Sequence, residues 1–349
     1  MIEIDGSMGE GGGQVLRSAL SLSCLTGKGF RIGNIRKSRS KPGLMNQHLM
    51  AVHSAARIAS AELSGDRLGS QQLAFVPRGV QSGNYSFDIG TAGSTTLVLQ
   101  TVMPPLLAAS VRSQVIVTGG THVPFSPSWN YFAEVFLPAL ARLGVRAEAA
   151  VDSCGFYPRG GGRVRCRLEP VRALSPLWAM ERGRLLRVSG CSAVGNLPRS
   201  IAERQLASAL SLLQGELGRD LAVQVDIREL QVYGQGTFIF LAGEYEQGRA
   251  GFTALGARGK PAEQVGEEAA REFLEHHHSG LPIDPHLADQ LVLYLARAQG
   301  RSTFATSRIT RHLETNLQVA GLFLELQTHI TGEEGEPGTV TISPARAPG

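Results

Sequence analysis

The sequence predicts an α/β protein in which sheets and helices form α+β layers, and three observations lead to this fold class. Short apolar or alternating stretches, typical of strands, recur along the 349 residues and are separated by segments with apolar residues at helical spacing. Hydrophobic residues make up 42% of the chain and charged residues 18%, which excludes intrinsic disorder. No apolar run approaches the roughly 20 residues of a membrane span, so we expect no membrane partner.

The predicted elements of the first half follow the order β-α-β-α-β-β and then a similar series. Residues 1–5 alternate like a strand, and the first helix begins at Gly13, where apolar residues start to recur at helical spacing. Further strands are predicted at 30–35, 73–76, 85–89, 115–118, 145–151 and 163–168. Further helices are predicted at 44–63, 94–109 and 133–143.

A change in the sequence pattern around residues 181–186 indicates a smaller α/β domain inserted into a larger one. The inserted part contains predicted strands at 186–189, 222–227 and 237–242 and helices at 201–217 and 262–276. Afterwards the first pattern resumes, with helices at 287–298 and 312–322, a strand at 303–305 and two terminal strands. We therefore expect a large domain of residues 1–182 and 277–349 and an inserted domain of residues 183–276, which is an ordinary domain size.

The cysteine content indicates a cytoplasmic protein, and the slight excess of positive charge permits an anionic partner. Lys and Arg number 34 against 30 Asp and Glu, a formal charge of +4, and the pI is about 9.0. The four cysteines lie far apart without a CxxC pair, as is usual for reduced thiols. The acidic, alternating start of the chain does not resemble a signal peptide.

A glycine-rich turn follows the first strand and precedes the first helix. Five of the eight residues from Gly6 to Gly13 are glycine, which is more than one tight turn requires. Glycine lets backbone N–H groups approach an anion at a helix N-terminus, so the segment is a candidate phosphate cradle. It is neither a Walker A nor a Rossmann sequence. A plain β–α turn is the alternative.

Two loops could supply cations and ligand contacts. Residues 36–41 carry four cations, which either neutralise phosphates, together with Arg17 and Gln47, or form a solvated loop. Residues 119–127 follow a predicted buried strand, and ligands of α/β sheets often bind at such carboxyl ends. The alternative for this second loop is a connection stiffened by proline.

Histidines are the candidate nucleophiles, because imidazole attacks phosphorus and leaves again readily. Spacing alone does not favour His312 over His122 or His48. The run 276–278 is interpreted as a polar helix end, because consecutive side chains diverge and do not easily bind one metal ion. A glycine run at 160–162 echoes the one near residue 11, which indicates either repeated units or chance.

Several motifs occur together in the order that is typical of one family. They are Gly-Glu-Gly-Gly-Gly-Gln-Val-Leu-Arg at 9–17, Lys-Pro-Gly at 41–43, Gly-Gly-Thr-His at 119–122, Phe-Tyr-Pro-Arg-Gly-Gly-Gly at 156–162, His-Leu-Ala-Asp-Gln at 286–290, and His312. From residue 1 to about 342 the chain resembles the RNA 3′-terminal phosphate cyclase family, most closely its bacterial-type members. It departs from the usual pattern at Cys154, where the family has Arg or His before the glycine.

The resemblance implies a fold, a reaction and partners. The fold contains repeated βαβαββ units similar to the C-terminal domain of translation initiation factor three, with a small inserted α/β domain, and a repeat then becomes the expected origin of the glycine echo. The reaction uses ATP and Mg²⁺ or Mn²⁺ to convert an RNA 3′-phosphate into a 2′,3′-cyclic phosphate through histidine–AMP and RNA-adenylate intermediates. The expected partner is RNA with a 3′-phosphate, while binding of other phosphate-ended nucleic acids and a homodimer with a second copy of the chain stay open.

The resemblance also assigns roles to residues of this chain. His312 corresponds to the nucleophile, and Glu10 to the metal ligand, a role that suits a hard carboxylate oxygen. The expected phosphate contacts and other catalytic residues are Arg17, Arg36, Arg39 and Gln47. The expected ATP pocket consists of Gln100, Pro127, His286, Leu287, Ala288, Asp289 and Gln290, together with His312.

Three other functions are weaker alternatives. The cyclase-like ribosome-biogenesis proteins resemble this family but lack the nucleophilic histidine, whereas this chain has His312. Enolpyruvyl transferases have a distantly similar repeated architecture without the combination of His-x-x-Asp-Gln and His312. A bare RNA-binding module would not need an adenine pocket, so ATP binding would distinguish it.

Overall fold

The computed structural model describes residues 1–218 and 222–345. Residues 219–221 of the expected inserted domain and 346–349 of the expected large domain lie outside the described residues. The described chain is a mixed α/β structure with four four-stranded sheets, which agrees with the predicted fold class. No helix in this part of the chain is long and apolar enough to cross a bilayer.

The first βαβαββ unit contains the glycine-rich turn and the basic loop. Its elements are β1 (Ile2–Asp5), α1 (Gly13–Thr26), β2 (Phe30–Gly33), α2 (Asn46–Ala59), β3 (Glu62–Ser64) and β4 (Leu73–Val76). The sheet order is β1-β2-β4-β3, with β1 and β2 parallel. The prediction of one helix over 44–63 was wrong at its end, because Ser60 takes a left-handed conformation with φ of 47° and the chain turns into β3.

The second unit repeats the same order of elements. They are β5 (Asn84–Asp88), α3 (Thr95–Leu107), β6 (Ser113–Gly119), α4 (Trp129–Tyr131), a π-helical turn (Phe132–Phe136), α5 (Leu137–Arg142), β7 (Ala147–Ser153) and β8 (Gly162–Leu168). Its sheet order, β5-β6-β8-β7, matches that of the first unit. The sequence pattern had placed the strand predicted at 85–89 at the end of the first unit. In the structure this strand is the first strand of the second unit.

A separate sheet follows the short strand β9 (Trp178–Ala179). Its elements are β10 (Leu185–Gly195), α6 (Arg199–Leu217), β11 (Val223–Leu230), β12 (Gly236–Tyr245), β13 (Gly248–Leu255) and α7 (Ala262–Ser279). These strands pair in the order β11-β10-β12-β13, and their helices cover a hydrophobic cluster of their own around Phe273. Helix α7 continues three residues past the expected boundary at 276.

The third unit is completed after this segment. It consists of β9 and then α8 (Pro285–Leu295), β14 (Ser302–Thr306), α9 (Arg311–Phe323), β15 (Leu326–Thr331) and β16 (Gly338–Pro344). The order β9-β14-β16-β15 again matches the first unit, so three copies of one unit share a sheet order. Side chains of α1, α2, α3, α8 and α9 belong to one large hydrophobic core.

The two glycine runs are not copies of each other. The run near Gly11 lies between the first strand and the first helix of its unit, whereas Gly160 lies between the last two strands of the second unit. Because the positions are not equivalent, the echo does not reflect the repeated units, and that expectation was wrong.

Candidate active site

The glycine-rich turn brings α1 against α9. Gly9 has a φ of +57°, and a Cβ atom there would lie 2.0 Å from Oγ1 of Thr315 on α9. The same Thr315 hydroxyl accepts a 3.1 Å hydrogen bond from the backbone N–H of Glu10. At Gly12 a Cβ atom would lie 2.3 Å from the Glu10 carboxylate. The glycines are therefore needed for the close approach of the turn to α9, and they place Glu10 beside the start of that helix.

The Glu10 carboxylate is nearly buried, with 8% of the side chain exposed, and is the centre of the site. Oε2 pairs with Nη2 of Arg39 at 2.6 Å, and Oε1 accepts a 3.2 Å hydrogen bond from the backbone N–H of Gln14. Nδ1 of His312 lies 3.9 Å from Oε1. Three of the residues assigned by resemblance, Glu10, Arg39 and His312, are thus brought together by contacts across about 300 residues of chain.

His312 is the second residue of α9 and remains half exposed, at 50% of its side chain. Thr310 caps the helix by accepting a 3.1 Å hydrogen bond from the Leu313 N–H, which fixes the turn that carries the histidine. Burial lowers the pKa of His312; the Glu10 carboxylate opposes this effect, and nearby cations, including Arg17, add to it. The ring is therefore biased towards the neutral form that can act as a nucleophile.

Arg17 and His48 lie side by side against Gly13. A Cβ atom at Gly13 would lie 2.8 Å from Nη1 of Arg17 and 2.6 Å from Nε2 of His48. Arg17 donates to Oε1 of Gln14 at 2.7 Å, and burial lowers its pKa to about 10. Nδ1 of His48 accepts from the Met45 N–H at 3.1 Å, which leaves the proton on Nε2, and burial lowers the pKa of His48 to about 3. Sequence reasoning did not distinguish this histidine, although it directly follows Gln47.

Arg36 and Gln47 support loops at the edge of the site. Nη1 of Arg36 donates to the carbonyls of Lys41 and Gly43 at 2.7 and 3.0 Å, so this side chain closes the basic loop on itself. Burial lowers the pKa of Arg36. Oε1 of Gln47 accepts a 3.1 Å hydrogen bond from the Ser94 N–H at the start of α3.

The expected ATP pocket lies where α3 and α8 meet. Nε2 of Gln100 donates to Oε1 of Gln290 at 2.5 Å, and the Pro127 carbonyl accepts from Thr96 Oγ1 at 2.8 Å. The side chains of Leu287 and Ala288 are buried, whereas His286 is exposed. Of the motif 286–290, the His286 side chain is therefore exposed, whereas Asp289 and Gln290 are partly buried.

A hydrogen-bond network that sequence reasoning missed connects α1, α8 and α9. Oδ1 of Asn316 accepts from Nε2 of Gln14 at 2.9 Å and from the Ser18 hydroxyl at 2.5 Å. Nδ2 of Asn316 donates to the Asp289 carbonyl at 2.8 Å. Burial raises the pKa of the Asp289 carboxyl, and Arg17 opposes that shift. The network fixes the spacing between the glycine-rich turn, the histidine helix and the ATP motif.

The residues present suit a divalent cation only together with a ligand. In the described ranges no group of three or more His, Cys, Asp or Glu side chains is placed to hold a metal ion, and this includes the run 276–278. Mg²⁺ commonly uses one or two carboxylates and completes its shell with water and substrate phosphates. Glu10, a hard oxygen donor, is compatible with that mode, and Arg39 would share its carboxylate.

Three βαβαββ units and a site that combines a glycine-rich turn, cations and an exposed histidine define this protein as an α/β protein equipped to handle phosphate groups. The chain belongs to the RNA 3′-terminal phosphate cyclase family, which matches residues 8–330. Proteins named RNA 3′-terminal phosphate cyclase from Methanopyrus kandleri and Methylococcus capsulatus are 45% and 47% identical to it. The first alignment covers 99% of both chains, and the second covers 98% of this chain and 96% of the relative.

Among solved structures, the enolpyruvyl transferase NikO from Streptomyces tendae is similar over 94% of this chain and 46% of its own, with 10% identity and a TM-score of 0.36. That degree of likeness carries no argument about function.

Proposed function

We propose that the protein converts a 3′-terminal phosphate of RNA into a 2′,3′-cyclic phosphodiester in an ATP-dependent, ligase-type reaction with nucleotidyl transfer. The observation that carries the proposal is the half-exposed His312 beside the carboxylate of Glu10. Two of the cations assigned to phosphate, Arg17 and Arg39, are near enough to bias its ring towards the neutral form. The family and the names of the relatives support the overall activity, while the intermediates are inferred from the chemistry of these residues.

The proposed first step forms a bond between His312 and the α-phosphorus of ATP and breaks the bond to pyrophosphate. Nδ1 is the ring nitrogen that lies 3.9 Å from the Glu10 carboxylate, so Nε2, on the opposite side of the ring, is the one directed away from it. We assign the attack to Nε2. The cations Arg17 and Arg39 stabilise charge on the phosphate oxygens, and a divalent ion held by Glu10 would supply further neutralisation there.

The proposed second and third steps transfer AMP and close the ring. An oxygen of the RNA 3′-phosphate attacks the adenylyl phosphorus and displaces His312, which returns to the neutral state. The adjacent 2′-OH then attacks the activated 3′-phosphorus, loses its proton and displaces AMP. Adenylylation is needed because an unactivated phosphate monoester has a poor leaving group. DNA and 5′-phosphate ends could accept AMP in the same way, but a strand without a vicinal 2′-OH cannot cyclise.

The positions of the other residues support separate contributions to this reaction. Gln100, Gln290 and Pro127 belong to the proposed adenosine pocket, and Asp289 is held next to it by Asn316. Arg36 and Gln47 act through the loops that they hold. We also propose that residues 183–276 form the inserted domain and that residues 1–182 and 277–349 form the catalytic domain, in a cytoplasmic enzyme.

Incubation with α-labelled ATP and Mg²⁺ or Mn²⁺, followed by denaturation, tests the proposal. We expect protein-bound label that is labile to acid and stable to alkali, the behaviour of a phosphoramidate. The label should disappear in His312→Ala and persist in His329→Ala, which alters an exposed histidine on β15. Label retained by folded His312→Ala would show that another residue is the nucleophile. No label on the folded wild-type protein would favour a non-catalytic scaffold.

A further inference from the structure

Tyr157 and Arg159 share a turn closed by a 2.7 Å hydrogen bond from the Gly160 N–H to the Phe156 carbonyl, Arg159 lies against Tyr233, and the proposed chemistry uses none of these three side chains. Tyr157 and Tyr233 are 69% and 74% exposed, and the guanidinium of Arg159 lies 5.8 Å from the centroid of the Tyr233 ring. Large side chains with this degree of exposure are candidates for a partner surface when they are grouped. We name these three residues the aromatic cluster.

The aromatic cluster is held in place from two sides. Nδ2 of Asn196 donates to the carbonyls of Val232 and Gly234 at 2.8 Å each, which fixes the turn that carries Tyr233. Cys154, the departure from the family pattern, pairs through its backbone with Val232 in an isolated β-bridge. Immobilising a preorganised ring on a ligand costs little conformational entropy.

Glycines pack the cluster against the second unit. A Cβ atom at Gly161 would lie 3.1 Å from Cβ of Tyr233, and one at Gly234 would lie 2.9 Å from Cβ of Arg159. Gly161, in the glycine run at 160–162, therefore allows close packing against Tyr233, a role that sequence reasoning had not assigned to the run.

A short path of direct contacts connects the cluster to the active site. A Cβ atom at Gly160 would lie 2.9 Å from the Thr91 carbonyl oxygen, and one at Gly93 would lie 3.2 Å from Cβ of Gln47. The same Gly160 Cβ atom would lie 3.0 Å from Cα of Ala92, so these contacts and two peptide steps of about 3.8 Å put the Cα atom of Arg159 no more than about 17 Å from that of Gln47. At a spacing of about 3.4 Å along a stacked strand, that distance corresponds to at most about five nucleotides.

We infer that the aromatic cluster stacks bases of the RNA strand a few nucleotides upstream of its terminal phosphate, an inference that rests on the proposed function. Every base has a π-face, so tyrosine rings bind single strands without reading sequence. Within the described chain Arg159 forms no ion pair with a carboxylate, whereas the neighbouring Arg163 and Arg165 both pair with Asp152. A guanidinium without an ion-pair partner beside the Tyr233 ring suits a strand of phosphates and bases better than a neutral apolar partner.

Steady-state cyclisation of two substrates tests the inference. One is a ten-nucleotide RNA with a 3′-phosphate, and the other is a dinucleotide 3′-phosphate, which is too short to reach the cluster. For Tyr157→Ala and Tyr233→Ala we expect KM for the long RNA to rise about tenfold, since stacking on one aromatic side chain has roughly that effect. The dinucleotide KM and kcat should be unchanged, and the Phe variants at both positions should behave as wild type. Trp178→Ala, which removes an equally exposed aromatic side chain from β9, is the matched control.

Removing single bases from the RNA locates the contact. An abasic nucleotide at the third to fifth position from the 3′ end should raise KM about as much as Tyr233→Ala does. When the abasic nucleotide and Tyr233→Ala are combined, their effects on KM should not multiply, because both changes delete the same interaction. Fully multiplicative effects at every position would contradict stacking on this residue.

The remaining outcomes separate this inference from the proposed function. Formation of labelled His312, which requires no RNA, should be unchanged in all cluster variants. If wild type forms no label, the proposed function fails, and fluorescence anisotropy of the long RNA still reports whether the cluster binds it. Equal KM changes for both substrates, or no change for either, would overturn the inference. A shift in oligomeric state with unaltered RNA binding would assign the surface to a protein interface.

Discussion

Replacing Gly9 by alanine should destabilise the protein severely, because two costs coincide at this position. The φ of +57° is a left-handed conformation that costs an L-residue about 1–2 kcal/mol. The new methyl group would also lie 2.0 Å from Thr315 Oγ1, and inserting a carbon into a packed contact costs about 1–3 kcal/mol. The free energy of unfolding should therefore fall by about 2–5 kcal/mol.

Urea unfolding of three variants separates the two costs. Gly27 has a φ of +70°, and a Cβ atom there would have no other atom within 4 Å, so Gly27→Ala carries the conformational cost alone. Gly9→Ala should exceed it by about 1–3 kcal/mol. Adding Thr315→Ala to Gly9→Ala removes the clashing hydroxyl and should recover part of that difference. Equal losses for Gly9→Ala and Gly27→Ala would refute the view that the glycine-rich turn is required for the approach of α9.

Two further predictions concern titration. Histidine-selective NMR should give His312 a pKa below its ordinary 6.5. Glu10→Gln should lower that pKa further, because it removes a carboxylate that favours the protonated ring, and Arg39→Gln should raise it; opposite shifts would contradict the proposed charge balance. Burial lowers the pKa of His122 to about 4, so as pH falls below 6.5 the unfolded chain takes up the proton first and stability is lost. Between pH 7 and pH 5 this histidine should contribute a loss of about 2 kcal/mol that is absent in His122→Gln, measured by urea unfolding at both values.

The fold class and most elements could be predicted because their signals are local. The periodicity of α1 and the alternation of β8 each lie within a few residues. The signals failed where a neighbour decides the structure. Residues 62 and 63 lay within the helix predicted over 44–63, and only pairing with β4 makes residues 62–64 a strand. Trp178–Ala179 is too short to show a period and exists as a strand through its pairing with β14.

The same distinction between local signals and contacts with distant residues applies to the candidate site. The glycine-rich turn and the basic loop were visible as segments, but the contact of Glu10 with Thr315 joins residues that are 305 positions apart. The side chain of Asn316 bonds to Ser18 across 298 positions, and an asparagine inside a helix carries no local sign of such a role. The sequence could not separate His48 from the other candidate histidines, because burial, which decides its protonation, is a property of the folded chain.

The position of the inserted segment has a consequence for the order of folding. Asn34 in the first unit bonds to Asp5 across 29 residues, whereas the Leu177 N–H next to β9 bonds to Ser302 across 125 residues. Loop-closure entropy makes the longer closure costlier by about 1.3 kcal/mol, even before the intervening sheet forms. During synthesis the first two units can fold as they emerge, whereas β9 can pair with β14 only after more than a hundred further residues have been synthesised. The histidine helix α9 belongs to this last unit, so the site assembles only when nearly the whole chain has been made.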